Sequence, residues 1–248
     1  MRSLIFSDIH ANLAALEAVL EAEDWDEVLF LGDAVVGGPQ PDEVLSVMRE
    51  LPGQFVMGNH DRQVLEESLT PGETNPDQLY IQWTREQLSP ANREFLETFS
   101  PPLSVGRNGR QMRLFHGDVS GELGWRVWPD SEPTVFEALA QRFPEPYVLL
   151  GHSHIQFRVQ HGRTEFINPG GAGQPRLRRL VAGYALLDNG GLQLKAVPYD
   201  AEATARAMDR VPLAEWYVDM WREIYLQGEL SDRYALREWE SLRQVGYR

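Results

Sequence analysis

Cysteine is absent from the 248 residues, which at once excludes disulfides, thiolate metal sites, iron–sulfur clusters and a cysteine nucleophile. Any metal must sit on His, Asp, Glu or Asn. Long apolar runs are missing too. Nothing approaches the roughly 18 apolar residues of a membrane span, and the opening MRSLIFSDIH is too short in apolar run and too early in charge for a secretory signal. The expectation is a cytoplasmic chain with no membrane partner. Positive charge is scarce: 23 Lys and Arg stand against 37 Asp and Glu, a formal net of −14. Such a chain repels polyanions, which argues against nucleic-acid binding by phosphate neutralisation. Its only dense basic cluster, Arg176, Arg178 and Arg179, reads equally as a solvated loop or as a phosphate contact.

What the chain does have is 42% hydrophobic residues, enough for a single α/β domain over 1–248 with a helical extension from about residue 200. An apolar run at 3–7, SLIFS, ends at a polar triplet, and Leu13, Leu16 and Leu20 then recur at helical spacing. The unit repeats at 27–31, EVLFL, before Gly32-Asp33 and a helix from Asp42 to about Leu51; a third run, QFVMG, ends at Asn59. Strands that alternate with helices and carry polar residues just past their carboxyl ends point to a sheet with its site along that edge. Residues 61–100 are helical in pattern, with breaks at prolines. From 103 the pattern turns to strands: a hairpin at Asn108-Gly109, YVLLG at 147–151, then FRVQ, TEFIN, GYALLD and LQLKAV, so the second half is predicted mostly antiparallel. In the tail, Leu213, Trp216, Tyr217, Met220, Trp221, Ile224 and Tyr225 form one apolar helical face, predicted to pack back on the sheet.

Five of the six histidines sit in short polar motifs directly after apolar runs: Asp8-Ile9-His10, Asn59-His60-Asp61, His116-Gly117-Asp118 and Gly151-His152-Ser153-His154. A lone histidine is more often structural than a ligand, but five at strand ends beside Asp8, Asp33 and Asn59 are hard to explain as packing. Imidazole with carboxylate suits Mn²⁺, Fe or Zn²⁺. His152 and His154, two apart, point to opposite faces of an extended backbone and so serve two different ions. Two ions about 3.5–4 Å apart need a bridging carboxylate, and Asp33, alone after a strand and a glycine, is the natural one.

In their order and spacing, Asp8-x-His10, Gly32-Asp33, Gly58-Asn59-His60-Asp61, His116 and Gly151-His152-x-His154 resemble the signature of the calcineurin-like metallophosphoesterase superfamily, over residues 3 to about 190. Asn12, Asn168-Pro169-Gly170 and Gln174-Pro175-Arg176 are similar to its small bacterial and archaeal phosphodiesterase branch. The resemblance implies a four-layer αββα sandwich, two mixed β-sheets flanked by helices. It implies two divalent ions, Mn²⁺ foremost, with Fe, Zn²⁺, Ni²⁺ or Mg²⁺ as alternatives. Asp8, His10 and His154 would hold one, Asn59, His116 and His152 the other, and Asp33 would bridge. His60 is then the residue beside the leaving group and Asp61 its orienting partner. A hydroxide bridging the ions would attack phosphorus in line, with no protein nucleophile.

The expected activity is hydrolysis of a small or nucleotide-like phosphoester by a phosphodiesterase or phosphatase, as monomer or homo-oligomer. The stretch GDAVVGGPQP lacks the arginine that protein serine/threonine phosphatases and symmetrical dinucleoside tetraphosphate hydrolases carry soon after Gly-Asp, which disfavours both. A non-catalytic protein-binding scaffold on the same fold would be expected to have lost ligands or His60, and a nuclease is disfavoured by the charge. The segment 117–133 leaves the ligand His116 with Trp125, Arg126 and Trp128. Its position lets the tryptophans stack on a base and Arg126, or Arg176, pair with phosphate; simple packing of a surface loop is the equal alternative.

Overall fold

Short apolar runs become strands here because each is flanked by turn residues and too short for a buried helix. The computed structural model describes residues 1–66, 72–117, 127–176 and 178–228. In chain order these form β1 (Ser3–Phe6), α1 (Leu13–Glu21), β2 (Glu27–Phe30), α2 (Pro41–Arg49), β3 (Gly53–Phe55), α3 (Asn59–Glu66), α4 (Pro76–Gln87), α5 (Pro90–Glu97), β4 (Leu103–Arg107) and β5 (Arg110–Phe115). There follow α6 (Pro133–Arg142), β6 (Tyr147–Leu150), β7 (Phe157–His161), β8 (Thr164–Asn168), β9 (Val181–Asp188), β10 (Gly191–Pro198), α7 (Ala201–Ala207) and α8 (Glu215–Gln227). Helix starts follow local chemistry. Asn12, Asn75 and Asp200 cap α1, α4 and α7 by accepting backbone N–H bonds, and prolines occupy the first turns of α2, α4, α5 and α6, where the missing N–H costs nothing.

The strands build two five-stranded mixed sheets, β10-β9-β1-β2-β3 and β4-β5-β6-β8-β7. Alternation along the strands sorts the core into layers. Ile5, Leu29 and Leu187 of the first sheet meet Leu114, Leu149 and Ile167 of the second in one buried cluster. On the outer face of the first sheet, Leu4, Phe6, Val28 and Phe30 pack under Leu16 and Val19 of α1 and Val44, Leu45 and Met48 of α2. On the far side, Phe115, Leu150 and Phe166 pack under Phe136 and Leu139 of α6. The result is helix, sheet, sheet, helix. Each such side chain contributes about 1.5–3 kcal/mol by leaving water, and the outcome is a rigid base with the two sheets' strand ends side by side.

One expectation is refined and one corrected. The second half is mostly antiparallel, through the pairs β4–β5, β7–β8 and β9–β10, but its sheet has a parallel centre, because β5, β6 and β8 run parallel and mirror the parallel set β1, β2 and β3. The connection from β5 to β6 carries the helix α6, which parallel pairing requires. The C-terminal helix does not lie on a sheet, since the helices named above already cover the outer faces. It packs instead on α4, where Tyr217, Val218, Met220 and Tyr225 bury against Tyr80 and Trp83. No helix among the described residues is long and apolar enough to cross a membrane.

Candidate metal centre

All parallel strands but one deliver a polar residue just past the carboxyl end: Asp8 after β1, Asp33 after β2, Asn59 after β3, His116 after β5 and His152 after β6. The backbone then turns sharply. Asp8, His10, Asp33, His152 and His154 all have left-handed φ, of 55°, 48°, 62°, 67° and 59°. Such conformations cost about 1–3 kcal/mol each in non-glycine residues and persist only where the surroundings impose them. The imposing contacts are visible: Asp8 N–H donates to Gly32 O, His10 N–H to Asp33 O and Ala11 N–H to Ala34 O, stitching the first two loops together. Gly58 allows the third to close in, since a Cβ there would stand 2.2 Å from Asp33 Oδ1.

The side chains converge as two sets of donors. In one, His154 Nε2 lies 3.3 Å from Asp8 Oδ1 and 3.1 Å from His10 Nε2, and His10 Nε2 lies 3.8 Å from Asp33 Oδ2. In the other, Asn59 Oδ1 lies 2.8 Å from His152 Nδ1 and 3.1 Å from His116 Nε2, which lies 3.1 Å from Asp33 Oδ2. Atoms bound about 2.0–2.2 Å from one ion stand about 2.8–3.6 Å apart at octahedral or tetrahedral angles. The spacings fit a divalent ion in each set, except that His10 Nε2 and Asp33 Oδ2, at 3.8 Å, stand slightly wider. Asp33 Oδ2 belongs to both. Its other oxygen accepts from His60 N–H at 2.9 Å, which fixes the carboxylate's orientation. His10 Nδ1 and His116 Nδ1 face the carbonyls of Val36 and Leu31 at 2.9 and 2.7 Å, so each ring donates outward and aims Nε2 at the centre. His152 and His154 reach different sets, through two left-handed residues rather than an extended backbone.

Electrostatics show how ill suited the cluster is to standing without cations. Burial pushes Asp8 up to about 7, with Asp33 adding to the rise and His116 opposing it. Burial drives His10 down to about 3, and the same effect, helped by Arg176 and His10, takes His154 well below its ordinary value. At His116 burial disfavours the charge, yet Asp33 and Asp8 outweigh it and raise the ring to about 10. For Asp33 burial likewise opposes ionisation, and His116, His60 and His10 together carry it well below the carboxylate range. Protons and imidazolium thus occupy the place where divalent cations would satisfy every carboxylate at once.

Asp61 departs from the role the resemblance implied. Its carboxylate is fully buried and accepts from the amides of Gly58, Asp33, Ala34 and Val35 at 2.9, 2.8, 2.8 and 3.3 Å. The physical reason is the fold of α3, whose third residue reaches back to the preceding amide as in a capping box. Both oxygens are thereby committed to the Asp33 and Asn59 turns, and His60 Nδ1 has no hydrogen-bond partner among the described residues. His60 sits beside the donors, its ring 5.3 Å from that of His10, and one of its nitrogens falls within 4.8 Å of donor atoms of His10 and Asp33.

A cavity of about 350 Å³ opens over His10, Asp33, His60, His152 and His154. Arg176 and Trp128 line it, while Trp125 and Arg126 lie outside the described residues. Arg176 Nη2 also donates to Gln174 Oε1 at 3.0 Å. Sequence reasoning missed Asp77 of α4 and Met220, Trp221 and Ile224 of α8, which complete the wall. The apolar stripe of α8 was visible, but nothing local says which surface a stripe will cover.

Comparison with known proteins gives the family and the fold. A model of the calcineurin-like phosphoesterase superfamily domain matches residues 1–190. An uncharacterised protein of Methanocaldococcus jannaschii is 28% identical, over 86% of this chain and 93% of that protein. A crystal structure of a metallophosphoesterase from Sphaerobacter thermophilus is similar at a TM-score of 0.74 and 26% identity, covering 92% of this chain and 99% of that one. A hypothetical protein from Pyrococcus horikoshii OT3 shares the fold, with a TM-score of 0.77, 18% identity and coverage of 89% and 97%.

Proposed function

The chain belongs to the calcineurin-like phosphoesterase superfamily, and from that premise we propose that it hydrolyses a small, nucleotide-like phosphodiester in preference to a monoester, using two divalent ions. The observation that carries the reading is Asp33 Oδ2, common to a set with His10 and a set with His116. In this reading Asp8, His10 and His154 would hold one ion, Asn59, His116 and His152 the other, and Asp33 would be shared between them. Mn²⁺ suits a mixed imidazole and carboxylate set without thiolates. When bound, the ions supply Lewis acidity that lowers the pKa of water and neutralises the phosphoryl oxygens.

The chain's own groups do the rest. Asp61 fixes the turns that carry Asp33 and Asn59, so that donors approach in one geometry. His60, at the edge of the donor sets and open to the cavity, protonates the departing oxygen. Arg176, the one arginine lining the cavity among the described residues, pairs with a phosphoryl oxygen. One arginine matches the one charge of a diester better than the two of a monoester. The C-terminal helices belong to the same domain in this reading, since Thr204 Oγ1 donates to Asn12 Oδ1 at 2.8 Å beside the first ligand loop.

Elemental analysis of protein purified without chelator and reconstituted with Mn²⁺ should approach two ions per chain. The same sample should cleave bis(p-nitrophenyl) phosphate faster than p-nitrophenyl phosphate and leave single-stranded DNA intact. A chain that never binds more than one ion overturns the two-ion assignment, and one that binds two but cleaves neither ester overturns the activity.

A further inference from the structure

The wall facing the ligand side of the cavity is made of Trp128, Met220, Trp221 and Ile224. Three of these four belong to α8, beyond the stretch 1–190 that the family model matches. The helix is held in place by specific bonds. Tyr225 OH donates to Gly37 O at 2.6 Å in a buried contact, and Tyr217 OH donates to Asp77 Oδ1 at 2.5 Å. The Trp221 ring packs edge to face on Tyr80, with centroids 5.9 Å apart, and its rim fits where Gly37 has no side chain. This wall is therefore built before any substrate arrives.

Its chemistry is narrow. Among the described residues, and apart from the histidines, Arg176 is the one cation lining the cavity, and Asp77 adds a negative charge on the α4 side. A second phosphate or a polyanionic arm laid along this wall would meet a carboxylate and apolar surface. Apolar and aromatic walls reward the opposite, a flat ring that leaves water on binding. We propose that α8 is the specificity wall of this site, and that the phosphodiester it takes carries one planar arm, a nucleobase or aryl ring, lying against Trp221 and Trp128. This rests on the hydrolytic reading above. Trp221 and Trp128 are then specificity-determining residues, and the chemistry at phosphorus is unchanged by them.

The test uses the full chain reconstituted with Mn²⁺ and two singly charged diesters that share a p-nitrophenolate leaving group, thymidine 5′-(p-nitrophenyl phosphate) and ethyl p-nitrophenyl phosphate. The thymidine ester should have a kcat/KM about tenfold or more above the ethyl ester, the size of one base–aromatic stack. Trp221→Leu should erode that preference by a similar factor, through KM, with metal content unchanged. Trp128→Leu, on a separate segment, carries the same prediction if Trp221→Leu does not fold. Binding of thymidine 5′-methylphosphonate, followed by quenching of tryptophan fluorescence, should weaken in step. Turnover of both esters without preference in the wild type, or equal losses for the two esters in the variants, overturns the wall while leaving the hydrolytic reading standing. No turnover of either ester with two ions bound overturns both.

Discussion

The two sheets bring different chemistry to the same edge. Loops of the first sheet supply Asp8, His10, Asp33 and Asn59, and hence every carboxylate among the proposed ligands; loops of the second supply His116, His152 and His154, imidazoles alone. Charge to attract cations thus comes from one layer and neutral donors from the other. The seam is also where the loops fasten to each other: His152 N–H donates to both oxygens of Asp8 at 3.1 Å, and His116 Nδ1 donates to Leu31 O across the interface. A centre assembled this way exists only when the sheets are docked face to face. Its precision derives from the shared core of Ile5, Leu29, Leu114 and Leu149 rather than from the loops.

The sharpest way to break this contrast is to remove one donor from each layer. Asp33→Asn should lose affinity at both ions and lower turnover about 10⁴-fold or more, since several kcal/mol of Lewis-acid stabilisation disappear together. His116→Ala should lose one ion and keep the other. Elemental analysis with rates on the same samples checks this, and circular dichroism should stay unchanged because neither residue supports the core. Equal ion loss in the two variants would mean that the layers are not chemically distinct.

A second contrast sets His60, on the first-sheet side, against the ligands around it. His60→Ala should retain both ions yet lose roughly 10²- to 10⁴-fold on a diester with an alkyl or nucleoside leaving group. A p-nitrophenolate leaving group needs little protonation, so its penalty should be smaller. Equal penalties would assign His60 to charge stabilisation or positioning instead, and loss of an ion would move it among the ligands.

The layers should also differ in the protons they surrender. Without ions, Asp8 is raised to about 7 chiefly by burial, and His116 to about 10 because Asp33 and Asp8 outweigh burial. Both hold protons at pH 6 that ion binding must expel, whereas His10, lowered to about 3 by burial, is already neutral and expels none. Affinity should therefore rise with pH, about tenfold per unit for each proton released, and level off once both groups are ionised or neutral in the free protein. Calorimetry in buffers of different ionisation enthalpy should show net proton release on ion binding at pH 6. A pH-independent affinity would exclude Asp8 and His116 as ligands.

Much of the first layer was legible in the sequence because Ser3–Phe6 and Glu27–Phe30 are each followed by a polar turn and a helix, the signature of parallel strands. The second layer hid its parallel centre. Its β4–β5 and β7–β8 hairpins advertise themselves through Asn108-Gly109 and Gly162, while the crossover helix α6 is short and begins at Pro133 after a stretch with no periodicity. The ligand residues could be read as motifs, but their left-handed backbone could not, since no local rule puts φ of 55° on an aspartate or 68° on Val36. The role expected for Asp61 failed for a related reason: adjacency in sequence to His60 suggested a side-chain pair, and the helical turn sent the carboxylate to the backbone instead.

The smallest expected effect concerns what ties the C-terminal helices to one layer. Thr204 and Tyr225 bond to Asn12 and Gly37, both in loops of the first sheet. Tyr225→Phe removes one hydroxyl and leaves Gly37 O buried without that donor, at a cost of about 1–3 kcal/mol. For a chain of this length that lowers the melting temperature by roughly 2–4 °C per kcal/mol. Because Gly37 lies four residues after Asp33 and supports the rim of Trp221, KM for a ring-bearing diester should rise a few-fold while ion content stays constant. A melting temperature within error of the wild type, with KM unmoved, would show that α8 is held by its packing on Tyr80 and Trp83 and by the Tyr217–Asp77 bond rather than by Gly37. The first sheet would then shape the centre without also placing the wall above it.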